Sequence, residues 1–279
     1  LPFQKHLIVN ADDFGLHKSI NAAIALAHKS GIVTSTSLMA GQQVAPAFDN
    51  ALELLQDLPG LDVGLHFTLV GGAGQPESYA AFLQSKIMGD YPSSSIKNTL
   101  RLQLDTLLDK GVRVTHIDSH QHLHALPSVM KVVAEVAAEY GIGAVRLPRE
   151  TGDYAGASAK RVYAAKALAF LCGLSKKELD SRNIKYTDHF AGMAISGSLT
   201  PQRMIRMLNG LQPGVTEILC HPGIDNIELS DRFDWGYDWL SELSSVTDQN
   251  VSKSMRSLDI TPFTYGQLAP SKNGVTDRR

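Results

Sequence analysis

The sequence predicts an α/β fold, a (β/α) barrel of seven or eight parallel strands. Three observations carry this. Short apolar runs alternate with helix-spaced segments along almost the whole chain, the connections are short, and residues suited to chemistry recur just after the apolar runs. A doubly wound open sheet is the alternative assembly of the same units.

His6-Leu7-Ile8-Val9-Asn10 opens as a buried strand. Ser19 to Ser30 follows with Ile20, Ala23, Ile24 and Ala27 at helical spacing, and Gly31 marks its stop. Thr34–Met39 reads as a strand and Ala45 to Asp57 as a helix; Asp62-Val63-Gly64-Leu65 is a third strand. The loop behind it, with Gly71, Gly72 and Gly74, reads as a flexible connection and a candidate lid. A helix from Ser95 to Lys110 precedes a strand at Val112–Asp118. Pro127 suits a first helical position, with Tyr140 the end and Gly141 the stop. Further strands are expected at Ala144–Leu147, around Phe190–Ile195, at Glu217–Cys220 and at Ile260–Thr264. Helices are expected at Thr200–Leu211 and around Ser241–Leu258. Residues 1–270 read as one barrel domain and the polar Ser271–Arg279 as a disordered tail. Leu1-Pro2-Phe3 lacks Met and reads as a trimmed start, with a removed targeting segment left open.

At 279 residues, 43% hydrophobic and 19% charged, the chain has an ordinary globular balance. A net charge of −2 provides no basic field for nucleic acid. Cys172 and Cys220 cannot form a disulfide framework and fit a reducing compartment, so the expected location is cytoplasmic. No apolar run is long enough to span a bilayer. There is no Gly-x-Ser-x-Gly elbow, no Walker loop and no dinucleotide fingerprint after the first strand, so serine hydrolase, kinase and dehydrogenase readings lose support.

Asp12-Asp13, His66, Asp118 with His120, and His221 each fall at or just beyond an expected strand end. In a parallel sheet all strand C-termini share one face, so residues far apart in sequence meet at one mouth. Four imidazoles crowd into His116–His124. The β-branched flank Val112-Arg113-Val114-Thr115 argues for a strand there, against the zinc-helix reading of His116 and His120. His122 and His124 read as outer partners of a site or as loop residues, and His6, His17, His28 and His189 default to structural roles. An Asp with two His suits a catalytic divalent metal. A second carboxylate can then serve as general base and a separate imidazole as proton donor, and candidates for each role are present. The residues thus point to metal-assisted hydrolysis.

Ile8-Val9-Asn10-Ala11-Asp12-Asp13-Phe14-Gly15, Val63–Phe67, His116–His124 and Cys220-His221-Pro222-Gly223 closely resemble the YdjC/ChbG-like carbohydrate deacetylases, in matching order from about Leu7 to Tyr265. Val145–Glu150, Asp188-His189-Phe190, Ser196-Gly197 and Thr216-Glu217 look like the hopanoid-associated HpnK branch of that family. The resemblance implies a (β/α) barrel-like fold and hydrolysis of an N-acetyl group from an amino sugar. It implies one divalent metal on Asp13, His66 and His120: zinc or magnesium first, manganese, cobalt or nickel as alternatives. Asp12 takes the catalytic-base position, His221 that of the imidazole assisting at the acyl oxygen or leaving amine, and Arg146 a place orienting Asp12. The branch features imply an N-acetylglucosaminyl hopanoid as substrate, with soluble chito-oligosaccharides as the alternative. Arg161–Leu174 is apolar apart from Arg161 and Lys166. It reads as a core-facing barrel helix or as a cover on the pocket that meets an apolar aglycone or the membrane interface. The implied partners are therefore an N-acetylated sugar or glycolipid and a peripheral contact with the inner membrane, with a monomer or homodimer as the assembly. A carboxylate-pair glycosidase and an inactive sugar- or lipid-binding barrel are the competing classes; adjacent Asp12 and Asp13 suit the first poorly.

Overall fold

The computed structural model describes residues 4–270 except Gln42, Ala73 and Asp153. The expected tail, Ser271–Arg279, lies outside the described residues. In chain order the elements are β1 (Lys5–Phe14), α1 (Lys18–Ser30), β2 (Ser35–Leu38), α2 (Phe48–Leu55), β3 (Asp62–Phe67), α3 (Tyr79–Met88) and α4 (Ser93–Asp109). Then come β4 (His116–Ser119), a 3-10 turn (His120–Ala125), α5 (Pro127–Glu139), β5 (Ala144–Val145), α6 (Ala159–Asp180) and β6 (His189–Ala191). The last are α7 (Pro201–Gly210), β7 (Gly214–Cys220), α8 (Asn226–Arg232), α9 (Trp239–Thr247), α10 (Gln249–Ser257), β8 (Ile260–Pro262) and α11 (Tyr265–Leu268).

Every strand pair is parallel. The order β5-β4-β3-β2-β1-β7-β6 runs round without the reversal of a doubly wound sheet, and β8 adds to β1. The edges approach each other through the bridges Ala144–Lys185 and Glu150–Phe190. This is the curled, barrel-like sheet the sequence predicts. β1 is its axis: β7 pairs with it from Lys5 to Ala11, while β8 takes Lys5–Leu7 and β2 takes Asn10–Phe14. Such a strand is buried along its length, and Leu7 to Phe14 are indeed all buried.

The helices form for the expected reasons, with corrections at their ends. α1 buries Ile20, Ala23, Ile24 and Ala27, and His17 caps it by accepting the Ser19 N–H at Nδ1. Gly31 is needed for space rather than for a left-handed turn, since a Cβ there would lie 2.2 Å from the Val246 carbonyl oxygen. Pro127 opens α5, and Gly141 follows it at φ +71°. The strand expected from Val112 begins only at His116. Gly111 and Val112 instead close α4, their N–H groups donating to the carbonyls of Leu108 and Leu107. The helix expected at Ser241–Leu258 is two, α9 and α10. Asp248 is extended between them and accepts the N–H groups of Asn250 and Val251. The strand read at Phe190–Ile195 stops at Ala191, because the N–H groups of Gly192 and Ala194 turn aside to the Glu150 carboxylate. Likewise the strand read at Ala144–Leu147 keeps only Ala144 and Val145. No helix among the described residues is long and apolar enough to cross a membrane.

Candidate active site

Successive strand residues point to opposite faces, so adjacent aspartates should diverge. Here β1 breaks register with β2 between Ala11 and Phe14, and Asp13 takes the left-handed conformation at φ +68°. The irregularity turns both carboxylates into one cavity of about 420 Å³ at the C-terminal face of the sheet. His66 enters from β3, His120 from the turn after β4, and His221 from the end of β7. Segments more than 200 residues apart therefore share one wall, as the strand-end argument required.

Asp13 is the hub. Its Oδ1 lies 3.2 Å from His66 Nε2 and 3.0 Å from His120 Nδ1. Donor atoms of the three residues all fall within 4.8 Å of one another. A second cluster, Asp12, His66 and Asp118, is equally tight. Its two carboxylates are already bound to the Arg146 guanidinium, which disfavours a cation there. Asp13, His66 and His120 are thus the set that fits a divalent metal, by oxygen and nitrogen donors and because no Lys or Arg among the described residues pairs with its carboxylate. Behind it, Asp118 Oδ1 is 2.8 Å from His66 Nδ1 and fixes that ring.

Arg146 is fully buried immediately after β5. It forks onto Asp12 with Nη1 2.6 Å from Oδ2 and Nη2 2.7 Å from Oδ1. Nη1 also lies 2.6 Å from Asp118, and Nε donates to Glu217 at 2.8 Å. The Tyr265 hydroxyl donates to the other Glu217 oxygen. Asn10 donates to both Asp12 and Ser37, and Ser37 to Asp118, each within 2.8 Å.

Charge follows from this packing. Burial opposes ionisation of Asp12, but the Arg146 guanidinium outweighs it and holds the carboxyl below its usual range. Burial also opposes ionisation of Asp13, and the two imidazoles, His120 first, pull it well down. Burial lowers His66, but Asp118, Asp13 and Asp12 together outweigh it and raise the imidazole to about 10. Three buried carboxylates share one guanidinium, and burial pushes Glu217 up to about 7.

His221 stands at the wall formed by Ser196 and Tyr237. Its Nδ1 is 3.3 Å from the Ser196 hydroxyl, and its ring lies 5.2 Å from that of Tyr237. The buried Glu242 carboxylate accepts the backbone N–H groups of His221 and Gly197, tying two loops together. Trp235 stands 5.6 Å from the His120 ring, and Arg161 and Ala164 of α6 close the opposite rim.

The six residues singled out from the sequence, Asp12, Asp13, His66, His120, Arg146 and His221, therefore meet in and directly behind one cavity. His122 also lines it, with φ +54° and no partner for its buried Nδ1. His124 is structural, held between the Ser119 hydroxyl and the Arg146 carbonyl. His116 points away and stacks on Tyr265 at 4.0 Å. His6, His17, His28 and His189 lie outside the cavity. Sequence reasoning assigned no role to Asp118 beyond closing its strand. Glu217 figures there only within a branch-like motif, with no role toward Arg146, and Tyr265, Glu242, Trp235 and Tyr237 give no signal. An Asp two residues before a candidate ligand His was a usable signal; the others depend on long-range packing.

Polar residues delivered by strand ends to the mouth of a curled parallel sheet, around a ready cation site, define an α/β barrel of the hydrolase type. The chain belongs to the YdjC-like protein family, which residues 6–257 match. It is 30% identical to a carbohydrate deacetylase of Vibrio vulnificus, over 94% of this chain and 96% of that one. It is 29% identical to a chitooligosaccharide deacetylase of Salmonella typhimurium, over 94% and 98%. In fold it is similar to a crystal structure from Enterococcus faecalis, a candidate for cellobiose-phosphate cleavage, at TM-score 0.74 and 22% identity, covering 95% of this chain and 99% of that one.

Proposed function

We propose that the chain is a metal-dependent carbohydrate deacetylase, removing the N-acetyl group from an N-acetylglucosamine-containing substrate to give acetate and a free amino sugar. The observation that carries this is the convergence of Asp13, His66 and His120 beside Asp12 and His221 in one cavity. The descriptions of the Vibrio and Salmonella relatives support it.

A divalent metal on Asp13, His66 and His120 would supply Lewis acidity toward the acetamide carbonyl and the attacking water; zinc or magnesium are the first choices, with manganese, cobalt or nickel as alternatives. Asp12 accepts the water proton. Its carboxylate is ionised at neutral pH because Arg146 holds it so, and the fork fixes its orientation. His221 supports the developing oxyanion and then donates a proton to the leaving amine, its ring set by Ser196. Arg146 positions Asp12 and does not itself line the cavity.

Within this class the substrate proposed is an N-acetylglucosaminyl hopanoid, on the strength of the branch-like segments Val145–Glu150 and Asp188–Phe190. The same reading carries a cytoplasmic location with peripheral contact at the inner membrane, and a monomer or homodimer as the assembly. Soluble chito-oligosaccharides are the second reading, favoured by the description of the Salmonella relative. A glycosidase fits less well: Asp12 and Asp13 are the only carboxylates lining the cavity among the described residues, and they are chain neighbours.

The test is mass spectrometry of N-acetylglucosaminyl hopanoid and N,N′-diacetylchitobiose, with and without chelator. Loss of one acetyl mass with acetate release, abolished by chelation, is expected; new reducing ends, or indifference to chelation, overturn the proposal. Asp12→Asn should retain metal and lose about 10²–10⁴-fold in turnover.

A further inference from the structure

α6 is 22 residues long and turns two different faces outward. Ala165, Cys172, Ser175 and Leu179 are buried on its inner side. On the opposite side Tyr163, Ala167, Phe170 and Leu174 follow one another at i, i+4, i+7 and i+11, a single stripe along the helix. The stripe is open: Tyr163 is 73% exposed, Phe170 68% and Leu174 48%. Lys160, Lys166 and Lys177 flank it, all exposed and without an ion-pair partner among the described residues. Arg161 and Ala164, in the same helical turn as Tyr163, form part of the cavity rim. An apolar stripe bordered by lysines, on a helix that cannot span a bilayer, suits an element that lies against a membrane interface with its other side on the protein.

We infer that α6 is a membrane-docking helix, seating Tyr163, Phe170 and Leu174 among the lipids of an anionic bilayer surface while its lysines meet the headgroups. The inference rests on the lipid-linked reading of the substrate given above. Anionic lipid is the occupant because three lysines without an ion-pair partner among the described residues border one face of a chain whose net charge is −2. A second copy of the chain would bring these same lysines together.

Co-sedimentation of the whole protein with phosphatidylcholine vesicles, with and without phosphatidylglycerol, tests this. Binding is expected with phosphatidylglycerol and should weaken with salt. Tyr163→Ser with Phe170→Ser should lower binding by about tenfold or more. Lys166→Gln and Lys177→Gln should each lower it by about fivefold. These residues lie outside the cavity, so acetate release from N,N′-diacetylchitobiose serves as the control for folding and should be unchanged. Failure of the wild type to bind, binding untouched by the stripe variant, or pelleting without vesicles (self-association through α6) overturns the inference. Acetate release without vesicle binding would leave the deacetylase reading standing. Vesicle binding without acetate release from any N-acetylglucosaminyl substrate would sink that reading and spare the helix.

Discussion

Arg146→Lys keeps the buried positive charge and removes only its shape. The guanidinium makes five close contacts to carboxylate oxygens: two to Asp12, one to Asp118 and two to Glu217, all between 2.6 and 2.8 Å. A lysine ammonium carries three donors on one atom and cannot fork, so at least two contacts disappear. Hydrogen bonds to charged groups contribute about 1.5–3 kcal/mol each, which puts the loss at roughly 3–6 kcal/mol. The contacts share one group and are not additive, which favours the lower figure. For a chain of this size, about 3 kcal/mol is a fall in Tm of roughly 6–12 °C. Asp12 also loses its fixed orientation, and a misplacement of about 1 Å costs about 10²-fold in turnover. Thermal unfolding by circular dichroism at neutral pH, with acetate release on the same preparation, reads both effects. A Tm within about 2 °C of wild type together with turnover within about threefold would refute the claim that the fork organises the site.

Two further outcomes follow from the same network. Asp118→Asn removes the charge behind His66 Nδ1 and should weaken metal affinity about 10–100-fold in competition with a chelating dye; unchanged affinity would show that the backing carboxylate is not needed. Glu217 has its pKa raised from 4.5 to about 7 by burial, so between those values the folded chain holds a proton that the unfolded chain has released. Stability from this group is therefore present at low pH and declines as pH rises toward 7. Glu217→Gln removes that decline. Its stability relative to wild type should rise across the window by up to about 3 kcal/mol, and a flat difference in denaturant melts at successive pH values would contradict the assignment.

Much of this architecture was legible because it depends on local chemistry. Pro127 and Gly141 bracket α5, and four apolar residues at helical spacing define α1. The ligand and base positions were legible because strand ends in a parallel sheet converge. What escaped were features set by distant partners. Val112 has the residue type of a strand but closes a helix instead. Ser241–Leu258 keeps helical periodicity through a break that Asp248 makes with its own side chain. α3 buries only Phe82, too little to leave an apolar pattern. His116 sits inside the histidine cluster yet serves packing: Gly64, on the neighbouring strand, leaves the space its ring occupies. No spacing rule distinguishes it from His120, because His116 turns away from the cavity on β4 while His120 lies in the turn beyond that strand. Arg161–Leu174 reads as apolar apart from Arg161 and Lys166, and only packing separates the inner residues of α6 from its outer stripe.

The kink at Asp13 also limits how this sequence can change. A left-handed backbone position accepts aspartate, asparagine or glycine far more readily than other residues, so glutamate there would carry the right charge on the wrong main chain. Straightening β1 would send one of two neighbouring acids to the far side of the sheet. Anyone grafting this chemistry onto another barrel must transplant the bend with the side chains, because the pair Asp-Asp on a regular strand would give two half-sites that never meet.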